Sequence, residues 1–177
     1  MSPRLTPPVG ARDHTYGPAG ARVTLVEYGD FECPHCGAAH PIIKQIQSSL
    51  GRDVRVAFRH FPMTKSHPHA QHAAEIAEAA AQQGKFWAMH DLLFAHQDAL
   101  ADQDLVGYAE TLGIDPALAV SVLADGRFQR RVRDDFASGV RSGVNGTPTF
   151  FINGERYDEN VSDLLASLME ATIDVPL

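Results

Sequence analysis

Two cysteines are the only thiols in the chain, and they lie three positions apart in the segment Cys33-Pro34-His35-Cys36. Thiols at this spacing on the first turn of a helix can form a disulfide with each other or exchange it with another protein. The N–H groups and positive dipole end at a helix start favour the thiolate of Cys33, as does a charged or donating His35. A stabilised thiolate is a good leaving group, so the pair predicts thiol-disulfide exchange with Cys33 as the nucleophile.

A carboxyl group is expected beneath the cysteine pair. Cys36 lies one helical turn after Cys33, where it is more buried, and we expect it to resolve the mixed disulfide that Cys33 forms. Its thiol must lose a proton to do so. Glu27 lies six residues before Cys33, in the segment that leads to the helix, so its carboxylate could take that proton. An exposed Glu27 at a strand end is the alternative interpretation.

The segments around this motif predict an α/β fold. A continuous apolar run over residues 23–28 indicates a strand buried on both faces, and apolar residues at helical spacing up to Leu50 indicate a helix. Residues 54–61 alternate between apolar and polar over much of their length, which predicts a second strand that ends before Pro62. A strand, a helix and a strand in this order predict a parallel pair with a crossover. Five helical segments follow, over residues 69–83, 86–100, 105–112, 116–123 and 128–140.

Strand patterns resume near the C-terminus. Residues 147–152 and 155–157 flank the dipeptide Asn153-Gly154, which is typical of a two-residue hairpin turn. An amphipathic helix is predicted over residues 161–172. The N-terminus is rich in proline, so a flexible tail is expected. The predicted organisation is a tail over residues 1–13, a first half over 14–67, a helical insertion over 68–143 and a second half over 144–177.

Composition and charge exclude several classes of protein. No apolar stretch approaches the roughly 18 residues that cross a bilayer, so membrane insertion is not expected. The formal net charge is -7, from 15 Lys and Arg against 22 Asp and Glu, which disfavours binding to nucleic acid. The N-terminal segment lacks the apolar core of a secretory signal. A cytoplasmic location is therefore expected, or a periplasmic or extracytoplasmic one if a targeting segment has been removed.

Motifs spread from about Tyr16 to Thr172 resemble those of one known family. The chain is similar to the DsbA-like thiol-disulfide oxidoreductases in Glu27, the Cys-Pro-His-Cys segment, Pro41 and the segment Gly146-Thr147-Pro148-Thr149-Phe150. This resemblance implies a thioredoxin-like α/β fold with a DsbA-type helical insertion. It also implies a cis peptide bond before Pro148, which would face the cysteines and present the backbone of Thr147 to a substrate strand. Protein thiols or disulfides would be the substrates, and the Cys33–Cys36 disulfide would serve without a bound cofactor or metal.

Several points stay open at this stage. Thr147 stands where DsbA has a valine-type residue, as in the isomerase branch of the superfamily, so the direction of electron flow is not determined. The sequence does not identify the redox partner, and we favour a monomer. A glutathione-using transferase or isomerase on a related fold would not need Cys36. A non-catalytic zinc or chaperone module is the other alternative, but the spacing of the nearby histidines defines no tetrahedral site. These histidines are His60, His67, His69 and His72.

Overall fold

Five strands form one mixed sheet in the computed structural model, which describes residues 3–174. The strands are β1 (His14–Tyr16), β2 (Val23–Gly29), β3 (Val54–His60), β4 (Thr149–Ile152) and β5 (Glu155–Tyr157). Their order across the sheet is β1-β3-β2-β4-β5. β2 and β3 are parallel, and the other neighbouring pairs are antiparallel. The parallel pair predicted from the sequence is confirmed.

Helices cover the sheet and fill the long segment between β3 and β4. The first of them, α1 (Pro34–Leu50), begins directly after Cys33, connects β2 to β3 and contains Pro41. None of the helices in residues 3–174 is long and apolar enough to cross a membrane. The helices after β3 are α2 (Ala70–Ala81), α3 (Phe86–Ala95), α4 (Asp102–Thr111), α5 (Pro116–Asp125) and α6 (Gln129–Arg141). A 3-10 turn (Val161–Asp163) and α7 (Leu164–Asp174) follow β5.

Two elements differ from the sequence prediction. The sequence does not indicate β1, because three residues are too few to show an alternating pattern; pairing with β3 makes this segment a strand. The third helix ends at Ala95 and not at Leu100, because residues 96–98 form a turn. The turn starts at His96, whose backbone angles, φ -133 and ψ 42, are not helical.

Alternate residues of β2 pack on opposite faces of the sheet. Val23 and Leu25 belong to a cluster with α1 and α7, whereas Val26 and Tyr28 belong to a cluster on the other face. All four side chains are completely buried. The prediction of a strand buried on both faces is therefore confirmed. Because side chains alternate along a strand, Glu27 lies on the same face as Leu25, which is the face that α1 covers.

The N-terminal segment packs against the sheet, whereas the sequence predicts a flexible tail over residues 1–13. Arg59 on β3 donates to both carboxylate oxygens of Asp13, at 2.7 and 3.1 Å. It also donates to the carbonyl oxygens of Pro7 and Pro8, at 3.0 and 3.3 Å. A buried guanidinium requires such partners, which explains why this proline-rich segment is held in place. Residues 1–2 and 175–177 of the predicted terminal segments lie outside the described residues.

The last two strands form the predicted hairpin. β4 and β5 are antiparallel and are joined by Asn153 and Gly154. The φ angles of these two residues are 50 and 84. Positive φ at both central positions is what a tight hairpin turn requires, and Asn and Gly tolerate it.

We predict that Asp13→Asn destabilises the fold by about 3 kcal/mol, because it leaves the Arg59 charge buried without its carboxylate partner. The side chains of Arg59 and Asp13 are only 3% and 8% exposed. Urea unfolding followed by circular dichroism measures the change. The matched control is Asp134→Asn, which removes an exposed partner of Arg12 and should cost less than about 1 kcal/mol. Equal effects of the two variants would contradict the assignment.

Candidate active site

Cys33 is the residue immediately before α1. Its backbone is extended, with φ -73 and ψ 122, and Pro34 occupies the start of the helix, where the missing N–H costs nothing. Cys36 follows one turn later and is completely buried. Cys33 is 4% exposed, so the expected order of burial holds, although less of the first thiol is open than the sequence suggests. No disulfide joins Cys33 and Cys36 in this structure.

The sulfur of Cys33 lies among hydrogen-bond donors. A hydrogen bond from the Cys36 thiol lowers the pKa of Cys33 to about 5, although burial opposes the shift. Contacts with Thr147 and with the backbone N–H groups of Cys36 and His35 lower it further. When protonated, Cys33 Sγ donates to the backbone oxygen of Thr147 at 3.4 Å. The thiolate of Cys33 therefore predominates at neutral pH, and a thiolate is both a nucleophile and a good leaving group.

Glu27 lies beneath the cysteine pair on β2. Its side chain is buried, with 2% of the residue exposed, and it does not face solvent at a strand end. Burial, together with the negative charge of Cys33, raises the pKa of Glu27 to about 8. Burial also raises the pKa of the Cys36 thiol well above its usual value, and the hydrogen bond to Cys33 and the charge of Glu27 add to this. These three groups therefore titrate as a coupled set.

The loop before β4 faces Cys33. The peptide bond between Thr147 and Pro148 is cis. The hydroxyl of Thr147 is buried and has no hydrogen-bond partner among residues 3–174, so it is available to donate to the Cys33 thiolate. Pro34 and His35 are exposed at the start of the helix. The sequence singles out His35 for its imidazole. In the structure it is the backbone N–H of His35 that contacts the Cys33 sulfur.

A buried aspartate that the sequence analysis does not identify connects the motif to the loop after β3. The carboxylate of Asp30 accepts hydrogen bonds from the N–H groups of Glu32 and Met63, both at 2.8 Å, and from His67 Nδ1 at 2.7 Å. Its backbone oxygen accepts from the N–H of Cys33 at 3.1 Å. Although burial opposes the change, the hydrogen bond to Asp30 raises the pKa of His67, with help from the charges of Asp30 and Cys33. An aspartate in a loop commonly accepts a hydrogen bond from the backbone N–H two residues later, as Asp30 does from Glu32. This local pattern is the signal in the sequence that could have revealed the structural role of Asp30.

The histidines that the sequence places near each other do not form a common site. The rings of three of them contact different carboxylates, and the fourth is held through its backbone N–H. The pairs are His60 with Glu78, His67 with Asp30, His72 with Asp102 and the N–H of His69 with Glu32.

Two other sets of metal-ligating side chains converge within the described part of the chain. In each set two histidines contact one carboxylate, and that carboxylate also has a cation beside it. Because the cation already balances the carboxylate charge, we interpret both sets as ion-pair networks, the first buried and the second partly exposed. One contains His14, His60 and Glu78 with Arg131 at 3.7 Å, and the other contains His40, His90 and Asp91 with Lys44 at 2.7 Å.

Comparison with known proteins agrees with this geometry. The thioredoxin family matches residues 11–171. Among solved structures, BdbD from Bacillus subtilis in its oxidised form has a TM-score of 0.85 at 22% identity, and the match covers 98% of each chain. DsbA2 from Pseudomonas aeruginosa has a TM-score of 0.73 at 26% identity, over 96% of this chain and 99% of that one. These matches show that the chain has the thioredoxin-like fold of DsbA-type structures.

A curated relative is much longer than this chain. The chain is 50% identical over 162 residues to the Na(+)/H(+) antiporter NhaA 3 of Salinispora tropica. The match covers 90% of this chain and 25% of the antiporter. The chain thus spans about a quarter of the length of the curated relatives that it matches.

We predict that the Cys33 thiol titrates near pH 5 and that Thr147→Val raises this midpoint, because the valine cannot donate to the thiolate. Thiolate absorbance at 240 nm, recorded against pH on the reduced protein, measures the midpoint. Thr147→Ser keeps the hydroxyl and serves as the control, with a midpoint close to that of the unchanged protein. A midpoint that moves equally in both variants would rule out the hydroxyl as the donor.

We also predict that Glu27→Gln stabilises the reduced protein increasingly as the pH rises from about 4.5 to about 8. Because the pKa of Glu27 is about 8 in the folded state and 4.5 is its ordinary value, the folded protein binds this proton more tightly than the unfolded chain. Stability from this group is therefore lost as pH rises through that window, by up to about 1.4 kcal/mol per pH unit.

Urea unfolding of both proteins at several pH values measures this difference. Cys33 titrates in the same window with the opposite sign, so only the difference between variant and unchanged protein isolates Glu27. Glu110→Gln, on the exposed side of α4, is the control and should show no such trend. A difference that does not depend on pH would contradict the raised pKa.

Proposed function

This chain belongs to the thioredoxin family, and we propose that it is a thiol-disulfide oxidoreductase that acts on protein substrates through Cys33 and Cys36. The observation that carries the proposal is the pKa of Cys33, about 5, beside a second thiol that is completely buried. A thiol that is ionised at neutral pH can attack a disulfide and can leave from one. No bound cofactor is needed, because the cysteine pair itself stores the two electrons.

In the oxidising direction, a substrate thiolate attacks the sulfur of Cys33 in the Cys33–Cys36 disulfide. This step forms a mixed disulfide at Cys33 and releases Cys36 as a thiolate, which takes up a proton. A second substrate thiolate then attacks the substrate sulfur of the mixed disulfide, so the substrate gains a disulfide and Cys33 leaves as a thiolate. The low pKa of Cys33 favours this direction, because it stabilises the reduced protein. A separate thiol oxidant must then restore the disulfide.

Glu27 is the proposed proton carrier for Cys36. In the reducing direction Cys33 attacks a substrate disulfide, and Cys36 must lose its proton before it attacks Cys33. The pKa of that thiol lies well above its usual value, so a nearby base is required. The carboxyl of Glu27, with a pKa of about 8, exchanges protons near neutral pH and lies close enough for its charge to act on Cys36.

The substrate is proposed to bind across the loop before β4. The backbone oxygen of Thr147 lies 3.4 Å from Cys33 Sγ, so an extended chain that pairs with Thr147 would bring its own sulfur to Cys33. Pro148 follows this pairing position, and Pro34 and His35 are exposed at the start of α1, directly after Cys33. Backbone pairing does not depend on side-chain identity, which suits an enzyme with many protein substrates.

The name of the curated relative describes a protein about four times as long as the matched segment. The antiport of sodium ions and protons in that name refers to the whole of the longer protein. The proposed chemistry for this chain concerns its own cysteine pair and does not include ion transport.

The experiment that tests the proposal compares Cys36→Ser with Cys33→Ser in the presence of a reduced, unfolded protein substrate and oxidised glutathione. Cys36→Ser should accumulate a mixed disulfide at Cys33, which mass spectrometry detects, and Cys33→Ser should not. The unchanged protein, equilibrated in glutathione buffers, should have a reduction potential nearer the roughly -120 mV of DsbA than the roughly -270 mV of thioredoxin.

Each other outcome has a defined meaning. A potential near the thioredoxin value would keep the exchange chemistry and reverse its direction. Full turnover of a glutathione substrate by Cys36→Ser would favour the transferase alternative, which does not need the second cysteine. Absence of any exchange with glutathione would refute the oxidoreductase proposal.

A further inference from the structure

A glutamine from the helical segment between β3 and β4 contacts the backbone just before the redox motif and at its first residue. Gln97 lies in the turn that ends α3 prematurely. Its Nε2 donates to the backbone oxygen of Phe31 and to that of Cys33, both at 2.8 Å. A primary amide nitrogen carries two hydrogens, so these two bonds use its full donor capacity. One side chain thus connects the insertion to the residue that we propose as the nucleophile.

Gly37 on α1 provides the space for this amide. A Cβ atom at Gly37 would lie 2.0 Å from Gln97 Oε1 and 2.6 Å from its Cδ. The nearest atoms are the end of a flexible side chain, so a larger residue at position 37 would displace the amide and leave the backbone in place. The glycine is in a helix, where alanine is normally preferred, so its presence here needs a reason. The close approach of Gln97 is that reason.

The contacted carbonyls belong to the part of the loop that sets the position of the Cys33 sulfur. The N–H of Cys33 donates to the backbone oxygen of Asp30, and the oxygen of Cys33 accepts from the N–H of Gly37, both at 3.1 Å. No side chain caps the start of α1. The Gln97 amide adds a side-chain donor to the backbone bonds that hold the Cys33 peptide, and its positive end offsets the partial negative charge of two carbonyls near the thiolate.

We propose that Gln97 is a positioning residue for the redox pair, and that Gly37 lacks a side chain to leave room for the Gln97 amide. The inference rests on the proposed function, because it assigns Gln97 to the stabilisation of the Cys33 thiolate. It also gives the helical insertion a direct part in the chemistry of the cysteine pair. The titratable groups around the sulfur, which the variants below leave in place, are Glu27 on β2, Cys36 and His35 on α1 and His67 in the loop after β3.

Gln97→Ala and Gly37→Ala test the proposal from both sides of the contact. Each variant should raise the pH midpoint of Cys33 ionisation. At a given pH below the midpoint, the fraction of Cys33 that is a thiolate should be about threefold lower than in the unchanged protein. The midpoint is measured from the pH dependence of alkylation by iodoacetamide and from absorbance at 240 nm. The equilibrium with glutathione should shift about threefold toward the protein disulfide, because a less stable thiolate makes the reduced protein less stable.

The double variant and a stability measurement separate positioning from a purely structural role. The double variant should match either single variant, because both changes remove the same contact. Gly37→Ala should keep or raise the melting temperature, since alanine favours a helix more than glycine does. Gln103→Ala, which changes an exposed glutamine on α4, is the control and should change neither readout.

Two results would overturn the proposal. One is a Cys33 titration and glutathione equilibrium that stay unchanged in both single variants, whatever their melting temperatures. The other is an additive effect in the double variant, which would mean that the two residues act separately. Alkylation needs no turnover, so failure of this proposal, which shows in the variants, is distinguishable from failure of the proposed function, which shows when the unchanged protein does not exchange with glutathione.

Discussion

A negative charge on the nearly buried sulfur of Cys33 is the feature that the rest of this structure accommodates. Charge in such a place is unfavourable unless donors surround it. The donors come from separate parts of the chain: the first turn of α1 supplies the Cys36 thiol and two backbone N–H groups, and the loop before β4 supplies Thr147. The order β3-β2-β4 in the sheet brings these parts together, since β2 leads into α1 and β4 follows the Thr147 loop. The fold is thus what makes the thiolate stable.

Buried carboxylates also connect separate elements of the fold, because each of them accepts hydrogen bonds from more than one donor. Glu78 on α2 accepts from His14 on β1 at 2.6 Å and from His60 on β3 at 2.7 Å. These contacts join the edge strand, its neighbour and the first helix of the insertion. The insertion therefore does not pack through apolar contacts alone, and its helices are held at fixed positions relative to the sheet.

The parts of this arrangement that could be predicted are those that a local pattern specifies. The strand before the motif, the helix after it and the Asn153-Gly154 hairpin each have a signal within a few residues. Glu27 could be placed because strand alternation and its distance from Cys33 restrict where its carboxyl lies. The contacts of Asp30 with Met63 and His67, and those of Gln97 with Phe31 and Cys33, could not be predicted, because these partners lie far apart in sequence and a loop residue has no periodicity. The contacts between the N-terminal segment and Arg59 have no local signal either, since in the sequence Arg59 is one polar residue within a strand pattern.

The coupling among Cys33, Glu27 and Cys36 gives the proposed reaction an internal order. While Cys33 is a thiolate, its charge raises the pKa of Glu27, and its charge and hydrogen bond raise that of Cys36. Both groups then keep their protons, and the buried site carries a single negative charge. When Cys33 enters a mixed disulfide, that charge disappears and both pKa values fall. Glu27 then loses its proton to solvent, and the resulting carboxylate can accept the proton that Cys36 releases at the step where Cys36 must attack. A buried carboxyl next to the pair therefore assists resolution without competing with the thiolate in the resting reduced protein.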